Sequence, residues 1–159
     1  MRSLLLSAAV VALLMPSAAS AKPPLCTPDV IEAALTGAGH QVDTGVNLIR
    51  CGDVTGDGAT DVVFTVASGG TAGDTHFGVL LGREDGSNGR LVLYRPGYKI
   101  GVSVRSRHAF EVIQPHYRSD DANCCPSSFR QTRYTWTGSK FKKGKTRALK
   151  TAPARFYRA

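Results

Sequence analysis

Short strand-like segments separated by turn residues are the feature that most limits the folds open to this 159-residue chain. After residue 60, runs of apolar and β-branched residues alternate with Gly, Asp, Asn and Pro. Such spacing is typical of antiparallel strands joined by hairpins. The segments predicted as strands are 61–67, 76–81, 90–95, 99–105, 109–115 and 133–137, the last turning through Gly138 and Ser139 into a partner strand at Lys140.

One helix is predicted ahead of these strands. Thr27 suits the N-cap position and Pro28 the first helical position, and an Ala-rich apolar stretch follows. Gly37 and Gly39 are expected to end the helix. One early helix followed by many short strands predicts a single α+β domain over residues 22–141, with a mainly antiparallel sheet.

Four cysteines, at positions 26, 51, 124 and 125, predict a disulfide framework. Their spacing is not the C-x2-C type that zinc ligation usually needs. Three connectivities are possible. A bridge between the adjacent Cys124 and Cys125 closes a strained ring, so we expect each of them to pair with Cys26 or Cys51 instead.

Residues 1–21 have the three parts of a secretory signal peptide. One arginine precedes an apolar run over 4–15, and the segment ends in Ala19-Ser20-Ala21. The run is about a dozen residues, too short for a bilayer core that needs about 20. We therefore predict cleavage after Ala21 and a soluble protein, secreted or periplasmic, without a membrane span. The cysteines support this prediction, because disulfides persist in such compartments.

Charge is distributed unevenly along the chain. Residues 22–121 hold twelve acidic and nine basic side chains, whereas residues 122–159 hold ten basic and none acidic. We predict that 142–159 forms a flexible basic tail. Its attraction for polyanions makes an anionic cell-envelope polymer the expected partner, ahead of nucleic acid, with another exported protein as an alternative. The predicted anion-binding residues are Lys140, Lys142, Lys143 and Lys145.

The segment 53–61 has the oxygen-rich pattern of a calcium loop. Carboxylate or hydroxyl oxygens recur at alternate positions, and a glycine permits the tight turn. The expected ligands are Asp53, Thr55, Asp57, the Ala59 carbonyl and Asp61. The stretch resembles the loop of FG-GAP repeats, which also leads into an apolar strand. The alternative is an ordinary acidic turn before a strand.

The order of the cysteines and of several later residues resembles the LppP/LprE lipoprotein family of actinobacteria. The matching positions are Cys26, Cys51, Asp121, Cys124, Cys125, Pro126 and Arg133. The resemblance implies a small exported protein and supplies no catalytic residue. This chain lacks the lipid-attachment cysteine of that family, so lipid anchoring is not implied.

Histidines at 40, 76, 108 and 116 are the remaining candidates for chemistry. No spacing among them matches a known acid–base or nucleophile motif. We therefore predict a non-catalytic binding or cell-envelope-associated protein. The alternative is a small secreted basic hydrolase with ribonuclease-like acid–base chemistry, in which His108 and His116 would be the first candidates.

Overall fold

The computed structural model of the protein describes residues 24–42, 44–83 and 89–157. The predicted signal peptide lies outside these residues. A 3-10 helix, Pro24–Cys26, is followed by α1, Pro28–Gly37, and a second 3-10 helix, Ala154–Phe156, follows the last strand. The strands are β1 Val46–Gly52, β2 Asp61–Ala67, β3 Asp74–Leu81, β4 Arg90–Pro96, β5 Gly101–Ser106, β6 Ala109–His116, β7 Ser128–Trp136 and β8 Phe141–Leu149.

The eight strands form two antiparallel sheets in which sequence neighbours pair. The first sheet has the order β1-β2-β3-β4 and the second has the order β5-β6-β7-β8. With α1, these sheets confirm the predicted α+β class, although the strands form two sheets and not one. No helix within the described ranges is long and apolar enough to cross a membrane.

The first sheet is buried on both faces because its central strand is apolar at almost every position. Val62 and Phe64 of β2 pack in one cluster with Ile31 and Leu35 of α1. Val63, which points the opposite way, packs in a second cluster shared with strands of the second sheet. The protein therefore has three layers, which are α1, the first sheet and the second sheet.

The second sheet packs its inner face on the first sheet mainly through aromatic side chains. Phe110 stacks on Tyr134 with ring centroids 5.3 Å apart, and Phe77 of β3 contacts both rings edge-on. The opposite face is covered at one place, where Phe156 packs on Gly101. A Cβ on Gly101 would lie 2.8 Å from Phe156, so this close approach requires glycine.

The predicted helix and the predicted strands all form, with ends shifted by a few residues, but β1 was not predicted. The prediction of a flexible tail over 142–159 is wrong. Residues 142–149 continue β8, which is paired with β7 from Trp136–Phe141 to Phe129–Leu149. Charged side chains at an edge strand remain solvated while the backbone completes the sheet, and charge alone therefore did not indicate disorder.

The expected disulfide pairing is also wrong. Cys26 bonds to Cys51, with Cα atoms 5.9 Å apart, on the side of the first sheet that α1 covers. Cys124 bonds to Cys125 in the connection between β6 and β7. The two pairs belong to different sheets, so the fold brings neither member of the adjacent pair to Cys26 or Cys51.

Candidate functional site

The loop between β1 and β2 is organised around the buried carboxylate of Asp61. Asp61 Oδ2 accepts the N–H groups of Val54 and Thr55 at 3.0 and 3.1 Å, and also the Thr55 hydroxyl at 3.1 Å. Its Oδ1 accepts the N–H of Gly82 at 3.1 Å. Desolvation raises the pKa of Asp61, although the hydrogen bonds from Val54 and Gly82 oppose that effect.

The other two aspartates of this loop accept backbone hydrogen bonds at its tip. Asp53 accepts the N–H groups of Gly56 and Gly58, and Asp57 accepts the N–H of Ala59 at 2.9 Å. Desolvation by itself raises the pKa of Asp53, but these N–H donors outweigh it and hold the pKa below its ordinary value. The loop therefore concentrates negative charge at its exposed tip.

Three of the five predicted calcium ligands converge. Carboxylate oxygens of Asp53, Asp57 and Asp61 all lie within 4.8 Å of one another. Oxygens about 2.4 Å from a shared Ca²⁺ can be this far apart, so the three carboxylates fit a cation. The Thr55 hydroxyl does not join them, because it is buried and donates to Asp61. For Ala59, the described contact is its N–H bond to Asp57.

The predicted anion-binding lysines lie on or beside β8, the edge strand of the second sheet. Lys140, Lys142, Lys143 and Lys145 are all exposed. Glu111 is the sole acidic residue within strands β5 to β8, and it pairs with Arg155 at 3.1 Å. Apart from Arg133, which lies opposite Glu111 in the register, the basic side chains of these strands have no acidic residue directly opposite them.

Register divides the basic side chains between the two faces of the sheet. Lys143 lies opposite the inward-facing Tyr134, whereas Lys142 lies opposite Thr135 and therefore on the outer face. Next to Tyr134, a polar hollow of about 400 Å³ opens on the inner face. We call it the polar hollow, and its lining includes Arg130, Lys143, Thr132, Thr146, Tyr134 and Gln114.

Hydrogen bonds order two parts of the polar hollow. The hydroxyls of Thr132 and Thr146 are 2.9 Å apart across the β7–β8 pair. The Arg130 guanidinium contacts Nε2 of His116 at 3.1 Å, within hydrogen-bond distance. Two cations and several hydroxyls thus line the hollow, and no carboxylate is among its lining residues.

A larger and more apolar cavity lies along β1 and β5, the neighbouring edge strands of the two sheets. Its volume is about 740 Å³, within the usual range for small-molecule sites. We call it the apolar groove. Its lining includes Val46, Ile49, Ile100, Val102, Phe129 and Phe156, together with Lys99, Tyr117 and Cys124 at the polar end.

The loop that carries the adjacent cysteines is held in place by side chains on both sides. Asp121 accepts the N–H groups of Arg118 and Ser127, and also the Ser127 hydroxyl. The hydrogen bonds from Ser127 and Arg118 lower the pKa of Asp121. The backbone carbonyl of Asn123 accepts the Tyr117 hydroxyl at 2.8 Å. The Cys124–Cys125 bridge therefore lies in an ordered wall of the apolar groove.

His108 and His116, the first candidates of the hydrolase alternative, do not lie close together. His108 precedes β6 and His116 ends it, so about eight strand residues, or about 26 Å, separate them. His40 and His76 do converge, with ring centroids 4.3 and 4.9 Å from Tyr94. Desolvation, followed by the charge of His40, lowers the pKa of His76.

Sequence reasoning missed both cavities, because each is assembled from segments distant in the chain. Lys99 offered one local signal, since it follows a Gly-Tyr pair between two predicted strands. Its backbone φ of 47° is a conformation that non-glycine residues seldom adopt. No protein-family model, curated protein or solved structure matches this chain.

Proposed function

We propose that this protein is an exported, non-catalytic binding protein that attaches to an anionic polymer of the cell envelope through its second sheet. The observation that carries the proposal is the polar hollow, which Arg130 and Lys143 both line and which has no carboxylate among its lining residues. Cations arranged in this way attract phosphate or carboxylate groups. Whichever of the Thr132 and Thr146 hydroxyls accepts from the other can donate its own proton to the same anion.

The exposed strand β8 extends the attraction beyond a single anionic group. Lys142, Lys145 and Arg147 are exposed along the same strand as Lys143. Lys142 and Arg147 lie on the outer face, opposite Thr135 and Gln131, so a polymer that also contacts the polar hollow on the inner face would have to cross the edge strand β8. Release of its counterions would make binding strongly dependent on salt.

Export is supported by the cysteines and by the amino-terminal sequence. The described cysteines are all in disulfides, and Cys26 is completely buried. Disulfides of this kind persist in oxidising compartments. The resemblance to the LppP/LprE family remains a prediction and points the same way. Sequencing the amino terminus of the protein recovered outside the cytoplasm should show Lys22 as the first residue.

The binding proposal is tested by charge-matched double variants. Arg130→Gln with Lys143→Gln should weaken binding to immobilised teichoic acid more than tenfold, because both cations of the polar hollow are lost. It should also lower the slope of log affinity against log salt by about 2. The matched control is Arg50→Gln with Arg90→Gln, which removes equal charge from exposed positions of the first sheet. Equal losses in the two variants would contradict a site on the second sheet.

We propose in addition that the loop of Asp53, Asp57 and Asp61 binds Ca²⁺, which would stabilise the connection between β1 and β2. Support comes from the convergence of the three carboxylates. A bound cation present at 100 times its Kd adds about 2.7 kcal/mol to the free energy of unfolding. Addition of EGTA should therefore lower the melting temperature.

The variant Asp57→Asn separates the effect of bound Ca²⁺ on the melting temperature from any other effect of EGTA. Asp57 is exposed and makes one described hydrogen bond, so its loss should leave the loop folded but remove the effect of EGTA. The control Asp120→Asn changes an exposed acidic residue of the second sheet's loop and should retain that effect. An unchanged melting temperature on chelation of the wild-type protein would contradict the calcium proposal.

A further inference from the structure

The apolar groove has one cationic side chain among its lining residues, at its polar end. Lys99 Nζ donates to the carbonyl of Asn123 at 2.7 Å, to the side-chain Oδ1 of Asn123 at 3.2 Å and to the Tyr117 hydroxyl at 3.3 Å. It also lies 5.4 and 5.8 Å from the ring centroids of Tyr98 and Tyr117. All these partners are neutral. Within the described part of the chain, the sole ion pair is that of Arg155 and Glu111.

The groove contains one carboxylate, and that group is already engaged elsewhere. Asp74 accepts the Thr65 hydroxyl at 2.6 Å on one oxygen and the Asn47 amide at 3.0 Å on the other. It is therefore held against its own sheet and forms no ion pair with Lys99. No carboxylate neutralises the charge of Lys99, and an anionic ligand in the groove would replace one of its neutral acceptors.

The backbone of Lys99 indicates that its position is maintained against a conformational cost. A φ of 47° is unfavourable for a residue with a side chain, and strained positions of this kind are concentrated at functional sites. The strain is maintained by two backbone hydrogen bonds, from Lys99 N–H to the Ala72 carbonyl and from Ile100 N–H to the Asp74 carbonyl. The turn between β4 and β5 thereby points a lysine along the groove where glycine would be less strained.

From these observations we propose that the apolar groove binds a small amphipathic molecule with an apolar body and a single anionic head. The body would lie on the buried side chains of Val46, Ile100 and Val102, and the head would pair with Lys99. Charge complementarity favours an anionic head beside Lys99, because the three acceptors of its ammonium group are all neutral, whereas Asp74 is held by Asn47 and Thr65 on the first sheet. This site is separate from the polar hollow, whose cations are Arg130 and Lys143.

Calorimetric titration with decanoate, decyl phosphate and decan-1-ol tests the proposal. Both anionic probes should bind one per protein, and about tenfold more tightly than the alcohol, because a charge-assisted hydrogen bond replaces a neutral one. In Lys99→Met, which keeps the apolar stem, the anions and the alcohol should bind equally. Lys150→Met removes an exposed lysine that does not line the groove and should leave the preference unchanged.

Two further variants locate the bound molecule. Thr71 is exposed and lines the groove, so Thr71→Trp should fill the space and abolish binding of all three probes. Arg130→Gln with Lys143→Gln should leave decanoate binding unchanged even if it abolishes binding to teichoic acid. The proposal is overturned if no probe binds, if anions and alcohol bind wild-type protein equally, or if the loss of Arg130 and Lys143 removes decanoate binding.

Discussion

The two halves of this protein contain similar strands but use them differently. Residues 24–96, which form α1 and the first sheet, carry nine acidic and four basic side chains, whereas residues 97–157 carry three acidic and thirteen basic. The first sheet is covered on both faces, by α1 and by the second sheet. The second sheet is covered on one face and leaves most of β8 exposed.

This difference separates charged groups that stabilise the fold from charged groups that are available to bind a partner. The Asp61 carboxylate in the first half is buried and accepts four hydrogen bonds, which stabilise the folded loop. In the second half the basic side chains other than Lys99 and Arg155 are exposed and can bind a partner. Exposed charges contribute little to stability, so we expect substitutions in the first half to affect folding and those in the second half to affect binding.

The strongest test of this division is loss of the buried carboxylate. Asp61→Asn places an amide NH₂ group against N–H donors and leaves at least one of them without an acceptor. We expect the free energy of unfolding to fall by about 3 kcal/mol, measured by urea denaturation with the fluorescence of Trp136, the sole tryptophan. Asp57→Asn, measured in EGTA, should cost less than about 0.5 kcal/mol. Similar losses in the two variants would contradict the view that the buried carboxylate stabilises the fold more than an exposed one does.

The disulfides provide the next test, because they close loops of very different length. Cys26–Cys51 spans 25 residues, and replacing both cysteines by serine should cost about 3 kcal/mol through the entropy of the unfolded chain. Cys124–Cys125 joins neighbours and constrains almost none of the chain, so the corresponding double variant should change stability by less than about 1 kcal/mol. The reverse order in urea denaturation would place the stabilising bridge in the second half.

A pair of glycines tests the contact between the two halves of the protein. Gly56 and Gly58 both have left-handed backbones, but only a Cβ on Gly56 would meet the His108 ring, at 2.1 Å from its Cε1 atom. Backbone strain in each alanine variant should lower the free energy of unfolding by about 1 kcal/mol. The clash with the His108 ring should lower that of Gly56→Ala by about 1 kcal/mol more. In a His108→Ala background the two costs should become equal, and a persisting difference would show that this ring is not responsible.

The smallest expected effect is a pH dependence confined to the first half. The folded-state pKa of His76 lies below its ordinary value of 6.5, because of desolvation and then the charge of His40. Above pH 6.5 both folded and unfolded states are neutral at this site, and below it the unfolded chain binds the proton first. Stability should therefore decrease as the pH falls through 6.5. His76→Phe preserves a ring beside Tyr94, and its stability profile should be flatter over this range.

Local pattern predicted the secondary structure well where it was strong. The helix over Pro28–Gly37 and the strand over Asp61–Ala67 follow directly from capping residues and apolar runs. β1 was missed because its burial pattern lacks a clean alternation and β1 has an irregular register with β2 between Leu48 and Arg50. The sequence predicts a tail in place of β8 because four of the nine residues of this strand are basic and none is acidic.

The candidate sites divide in the same way. The acidic loop could be predicted because its three carboxylates lie within nine residues of one another. The apolar groove could not, since Ile49, Lys99 and Phe129 meet there only after both sheets have formed. The pairing of Cys124 with Cys125 was likewise decided by the separation of the two sheets, which no local spacing encodes.

The amino-acid sequence is sufficient to predict the α+β class, the helix, most of the strands and the acidic loop, and it shows directly the excess of basic residues late in the chain. These depend on interactions between near neighbours, such as caps, turns and alternation. Three features depend on the tertiary structure. The basic segment forms an edge strand, its lysines are divided between the two faces of the sheet, and Lys99 lies at the end of an apolar groove. Those outcomes depend on register and on the packing of distant segments, because a side chain's surroundings are set by the strands beside it.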